Sequence, residues 1–375
     1  MAKSKLGLTA EESTFYTKVI TLGSATALPV LMTHSELARL IGVIYFDTGN
    51  GAALKEAYPD YYDVIFPSVD YYRLPMEWFT DANVELPERL HVDLIRHGHM
   101  IPDFRTYLRC LSELHKRRRK YAMILKAQPI PKMIQISPRA LVEYGGMEVE
   151  ALASWLTWRK FFYDLDNRSA QETGYLFEPI LAAAIGGEPK GARTKVVTRT
   201  SDSSKGRQVD CWKVDAETNT KYAYEFKLRV TIAASGQGRM GEEVQFAEDC
   251  RGSGAVPVLV VLDPTPNHRL TELKSAFEAS GGHAYIGNEA WQHLEDEAGA
   301  TMAQFIERYV RRPITEVTVF ETVDADTDDR NIMLLDLGAK LDNGDIVLSL
   351  GAHTRRIIRA EDSSLESPDE DEAPS

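Results

Sequence analysis

The spacing of apolar residues changes along this chain, and each change marks a different kind of element. Up to about residue 165 the apolar positions recur mainly at three- and four-residue intervals, which predicts helices. Thr33-His-Ser-Glu36 is a capping-box pattern ahead of Leu37, Leu40 and Ile41, with Gly42 as the stop. Leu111 to Leu125 keeps helical spacing around the basic block Lys116 to Lys120. Further on the period shortens to two. Tyr222, Tyr224, Phe226 and Leu228 take one face of a strand, and Ala223, Glu225 and Lys227 the other. Val209 to Val214 reads as a shorter strand, and the polar stretch from Asp215 to Thr220 turns the chain back between the two. Ala255 to Asp263 is a continuous apolar run suited to a buried strand, followed by a helix over 268–279, a strand over 282–286 and a helical stretch from Trp291 to Arg311. That alternation is α/β. After Pro313 the pattern predicts short strands at 316–322, 332–337 and 346–350, with Asp342-Asn-Gly-Asp345 as a hairpin turn.

The hairpin carries the candidate chemistry. Asp210 on its first strand and Glu225 on its second can meet, and Lys227 points the same way as Glu225. Two carboxylates held in a largely apolar sheet repel one another and are costly to desolvate unless a cation lies between them. Mg²⁺ satisfies that demand: Asp210, Glu225, the Phe226 carbonyl and a substrate phosphate supply the oxygen ligands it prefers. The Lys227 ammonium can steady the attacking oxygen or the charge that develops on phosphorus. An acid followed after a gap by Glu, any residue and Lys is a loose pattern, and Glu188-Pro-Lys190 and Glu272-Leu-Lys274 also fit its second half. The first follows two glycines and contains proline, so it reads as a loop; the second lies in the 268–279 helix.

Basic residues lead into the site. Between Lys190 and Arg207, the side chains Arg193, Lys195, Arg199, Lys205 and Arg207 are opposed only by Asp202, as a polyanionic substrate requires. On the far side, a Gly/Ser-rich loop over 229–243 opens a helix at Glu242 to Cys250 and offers Ser235, Gln237 and Arg239 to phosphates or base edges. The block Lys116 to Lys120 is the strongest basic patch and can grip phosphates, or can form a solvated helix face. The aromatic, proline-broken run from Ala57 to Phe79 is suited to packing against a neighbouring helix. His97-Gly-His99 lacks the partner cluster of a metal site.

Composition sets limits on these readings. The chain has 375 residues, 43% of them apolar, with no run long enough to span a membrane and no apolar signal core at its start, so a soluble, cytoplasmic protein is expected. Cys110, Cys211 and Cys250 are isolated and match no zinc spacing. The net charge is −13, but seven acids and no bases lie between Glu361 and Ser375, leaving −6 for the rest. That polar, acidic tail predicts disorder.

The acid of the first strand, Glu225-Phe-Lys227 and their flanks resemble the PD-(D/E)xK nuclease superfamily, and within it the type II restriction endonucleases. The resemblance covers about Ser169 to Arg312. It implies that Asp210, Glu225 and Lys227 are catalytic, with Val209 where the name-giving proline often stands. It also implies an accessory glutamate on a helix before the sheet. Glu178 of Gly174-Tyr-Leu-Phe-Glu-Pro-Ile-Leu181 fits that place, in a helix that starts near Glu178 or kinks at Pro179.

The expected architecture is thus a restriction-endonuclease-like α/β core over 166–312, with a central mixed sheet flanked by helices. A mainly helical region over 1–165 is a candidate for DNA recognition, a small β appendage spans 313–360, and the acidic tail spans 361–375. The expected function is Mg²⁺-dependent, sequence-specific cleavage of double-stranded DNA in a restriction–modification system, leaving 5′-phosphates. A homodimer and a cognate DNA methyltransferase follow from the resemblance. A repair or recombination nuclease of the same superfamily, or a catalytically inactive DNA-binding module, are the alternatives.

Overall fold

The computed structural model describes residues 7–22, 28–81, 86–173, 177–227, 237–262, 268–318 and 337–360. A five-stranded mixed sheet lies at the centre, in chain order from edge to edge: Glu188–Lys190, Val209–Val214, Lys221–Lys227, Val256–Val261 and His283–Ile286. Each of the first three strands is antiparallel to its neighbour among them, the fourth pairs parallel with the third, and the fifth parallel with the fourth. The parallel connections pass through the helices Gln237–Gly252 and His268–Ala279, as crossovers in α/β sheets do.

Both sheet faces are covered. Cys211, Tyr224, Phe226, Val258 and Val260 join one large core with the helices His34–Asp47, Phe104–Ala127, Phe177–Ala184 and Asn288–Ile306. On the opposite face Ala223, Leu259 and Val261 pack against Phe246, Ala247 and Cys250 of one crossover helix and Leu270, Leu273 and Phe277 of the other. On this second face the middle strand contributes only Ala223 to the core, and Glu225 and Lys227 lie beyond it toward the strand's C-terminal end.

In the helical part, Thr33 and Glu36 form the expected reciprocal cap of the His34–Asp47 helix. Gly42 does not stop that helix, which continues through Val43, Ile44 and Tyr45, all buried. The glycine instead permits a close crossing: a Cβ there would stand 1.9 Å from the Ile65 carbonyl oxygen. The Lys116–Lys120 block does not form a phosphate-gripping surface, because Lys116 and Lys120 are fully buried. Lys116 Nζ donates to the carbonyls of Lys18 (2.7 Å) and Thr21 (2.9 Å) and pairs with Glu113 (2.6 Å). Arg119 pairs with Glu36 at 2.6 Å, and Arg118 lies over the Tyr71 ring.

Three further expectations change. Glu188-Pro-Lys190 is an edge strand; proline is tolerated there because an edge residue need not donate to a second neighbour. The Gln237–Gly252 helix starts five residues before Glu242, so Gln237 and Arg239 stand in helical backbone. Residues 316–318 end the Arg312–Thr318 helix, and 319–322 lie outside the described residues, as do the predicted strand up to 336 and the acidic tail. The β appendage consists of Leu337–Asp342, Asp345–Leu350 and His353–Ile357, with Asn343 and Gly344 both at positive φ in the expected tight turn. Ile346 and Ile357 seat it on Ile124, Leu125, Phe161 and Leu165 of the long helices.

Candidate active site

Cys211 faces Tyr224 and Trp212 faces Ala223, so one more step of the register brings Asp210 opposite Glu225. Asp210 is 8% exposed, and its Oδ2 accepts the backbone N–H of Phe226 at 3.0 Å. Within a strand residue the N–H and C=O point to the same side, so the Phe226 carbonyl also faces Asp210. Lys227 Nζ donates to Glu225 Oε1 at 2.7 Å and lies 3.0 Å from Glu243 Oε1 on the Gln237–Gly252 helix. Glu178 stands in the first turn of the Phe177–Ala184 helix, with Pro179 accommodated beside it, and is within electrostatic reach of Glu225 and Lys227.

The charges of this cluster do not balance. Asp210, Glu178, Glu225 and Glu243 gather round one ammonium, that of Lys227. Burial first, then the carboxylates of Glu225 and Glu178, push the Asp210 carboxyl well above its usual range. Burial and Glu225 likewise raise Glu178. Burial alone would pull the Lys227 ammonium down, but Glu225 and Glu243 together hold it above its ordinary value. A cluster that raises its own carboxyls in this way has room for further positive charge. Among the described residues no group of three or more His, Cys, Asp or Glu side chains is placed to hold a metal ion by itself. What the strand end offers is two carboxylates, a carbonyl and the nearby Glu178, so a cation held there would have to keep waters or take a substrate oxygen to complete its shell.

Of the basic residues expected nearby, Arg193 and Lys195 are exposed and line a groove of about 610 Å³ with Arg199, Ser201, Ser204 and Lys205. Arg199 also pairs with Glu242 at 3.1 Å, and Lys205 with Asp202 at 3.4 Å. Arg207 departs from the expectation of a DNA contact: it is 8% exposed, its Nε donates to the fully buried Asp249 at 2.6 Å, and it pairs with Glu242. Asp249 also accepts from the Thr200 backbone N–H (2.6 Å) and hydroxyl (2.7 Å). Arg207 thus fastens the basic segment to the helix. Ser235 lies outside the described residues.

The site residue that the sequence reading passed over is Glu243. A signal for it exists: Phe246, Ala247 and Cys250 form the buried face of its helix, and Glu243 lies three and four residues before the first two. An acid on the apolar stripe of a helix that covers an acidic strand end is out of place unless it belongs to the site.

Paired acids and a lysine at the end of a mixed sheet, in a chain that also has a basic groove, are compatible with chemistry on phosphodiesters. Residues 62–311, which include Glu178, Asp210, Glu225, Lys227 and Glu243, match the family described as ApaLI-like restriction endonuclease. Over 369 residues, 98% of each chain, the sequence is 55% identical to the type II restriction enzyme ApaLI of Acetobacter pasteurianus. No solved structure matches. The chain belongs to the ApaLI-like restriction endonuclease family and is a type II site-specific deoxyribonuclease.

Proposed function

We propose that this enzyme is a member of the PD-(D/E)xK superfamily that cuts double-stranded DNA at a specific sequence with Mg²⁺, leaving 5′-phosphate ends. The observation that carries the reading is the excess of carboxylate over ammonium at the end of the middle strand. Asp210, Glu225 and the Phe226 carbonyl would hold the cation, with Glu178 as an accessory ligand. When bound, Mg²⁺ supplies Lewis acidity at the phosphate and favours deprotonation of the attacking water. The chain's own groups do the rest. Phe226 N–H fixes the orientation of Asp210. Lys227 presents its ammonium to the scissile phosphate, where negative charge grows during in-line attack. Arg193, Lys195, Arg199 and Lys205 hold the DNA backbone by phosphate contacts.

One cluster of this kind cuts one strand, so a double-strand break at a two-fold site calls for a second copy of the chain. The working form is then a homodimer in the cytoplasm, and a DNA methyltransferase of the same specificity is its functional partner.

The test is cleavage of unmethylated phage DNA in Mg²⁺ by the wild type, Asp210→Ala and Lys227→Ala. Discrete fragments from the wild type alone support the reading. A smear would point to a nonspecific nuclease, and equal cleavage by the variants would remove these residues from the active site.

A further inference from the structure

Lys227 has two carboxylate partners, and the proposed reaction requires one of them for something else. Its Nζ donates to Glu225 Oε1 at 2.7 Å within its own strand and meets Glu243 Oε1 at 3.0 Å across the gap to the Gln237–Gly252 helix. Glu243 is unusual in its placement. Its second oxygen, Oε2, is buried with no hydrogen-bond partner. Leaving a carboxylate oxygen in that condition costs stability, so such a group calls for an explanation in function. Phe246, Ala247 and Cys250 press the helix onto the sheet, and Glu243, one turn earlier, is carried over the end of the middle strand by the same contacts.

The geometry answers a conflict in the site. A hard cation takes carboxylate oxygens, yet in this arrangement Glu225 already gives one of its oxygens to Lys227. Were Glu225 the only partner, the ammonium and the cation would compete for the same group, and whichever lost would be misplaced. We propose that Glu243 is a positioning residue that draws Lys227 away from Glu225, so that Glu225 is free for the cation while the ammonium stays fixed at the scissile phosphate. This rests on the assignment of Asp210, Glu225 and Lys227 proposed above. Glu243 acts through Lys227 and is not itself a ligand.

The experiment is a double-mutant cycle in cation binding, which needs no activity. The full-length wild type, Glu243→Gln, Lys227→Met and the double variant are titrated with Mn²⁺, following the EPR signal of the free ion. Glu243→Gln should weaken Mn²⁺ binding about tenfold in the wild-type background, because Lys227 then pairs with Glu225 alone, and by less than about twofold when Lys227 is methionine. Glu243→Asp, which keeps the charge, should bind Mn²⁺ within about threefold of wild type. In single-turnover cleavage at saturating Mg²⁺, Glu243→Gln should lower the rate while DNA affinity in EDTA is unchanged. An equal loss of Mn²⁺ affinity in both backgrounds would overturn the inference, since Glu243 would then be a ligand in its own right. No loss in either background, or a Glu243→Asp variant as weak as Glu243→Gln, would overturn it as well. Failure of the underlying site assignment looks different: Asp210→Asn would bind Mn²⁺ as well as the wild type.

Discussion

The backbone N–H of Phe226 donates to the Asp210 carboxylate at 3.0 Å, so the middle strand aims the acid of its neighbour. This bond, rather than the strand pairing alone, sets the direction of a carboxyl group that is 8% exposed. It also ties the acid on one strand to the peptide between Glu225 and Lys227 on the other.

Asp210→Asn keeps an oxygen to accept that N–H while removing the charge that burial, Glu225 and Glu178 all oppose. The variant is expected to fold, with a melting temperature in EDTA no lower than the wild type. Mg²⁺ should raise the melting temperature of the wild type and not of the variant, and cleavage should fall by at least ~10²-fold. Thermal melts with and without Mg²⁺ decide the point. Equal Mg²⁺ stabilisation of both proteins would take Asp210 out of the site.

Arg207 and Arg193 should separate cleanly in measurement. Arg207→Ala leaves the fully buried Asp249 without its guanidinium, which costs about 3–5 kcal/mol of stability by analogy with broken buried pairs. Arg193→Ala, in the exposed groove, should leave stability alone, weaken binding across all sequences and reduce the salt slope of DNA affinity by about 1. Denaturant unfolding and salt-dependent binding give the answer, and a stable, weakly binding Arg207→Ala would contradict the structural role.

Gly42→Ala tests the close crossing of the His34–Asp47 helix with the Ile65 carbonyl. The added methyl must push two packed segments apart, so the expected loss is roughly 3 kcal/mol, even though alanine is the better helix former. A variant as stable as the wild type would mean that the crossing is loose.

His91 predicts an acid-sensitive component of stability away from the site. It is fully buried, stacks on Tyr16 (5.1 Å) and His34 (4.5 Å), and neither ring nitrogen has a hydrogen-bond partner. Burial, and then His34, push it down to about 4 from its ordinary 6.5. Between pH 6.5 and 4 the unfolded chain binds a proton that the folded chain refuses, so this component is present above the upper limit and is lost as the pH falls through the window. His91→Phe should flatten the melting temperature against pH across that interval. Parallel curves for the two proteins would show that His91 contributes nothing there.

Features that rest on neighbouring residues were legible from the chain alone. Strict alternation marked the strand with Glu225 and Lys227, the Thr33–Glu36 box marked a helix start, and Asn343-Gly344 marked a tight turn. Each depends on local backbone geometry, which a few adjacent side chains decide. The pairing of Asp210 with Glu225 was accessible for the same reason, because a short polar turn leaves an antiparallel hairpin few registers.

What only the tertiary structure decided is where long charged side chains end. Lys116 looked like part of a surface patch, but the carbonyls of Lys18 and Thr21, about a hundred positions away, take its ammonium into the interior. Arg207 looked like a DNA contact, and Asp249 turned it inward. Glu243 carried no label until its helix folded back over the sheet and met Lys227. A helix or strand forms from contacts within a few residues, whereas the fate of a flexible charged side chain is set by which opposite charges and carbonyls the rest of the chain delivers to it. The sequence by itself determined most of the elements and the acid–lysine pattern on them; the packing of distant segments decided which charges are buried in internal pairs and which stay exposed.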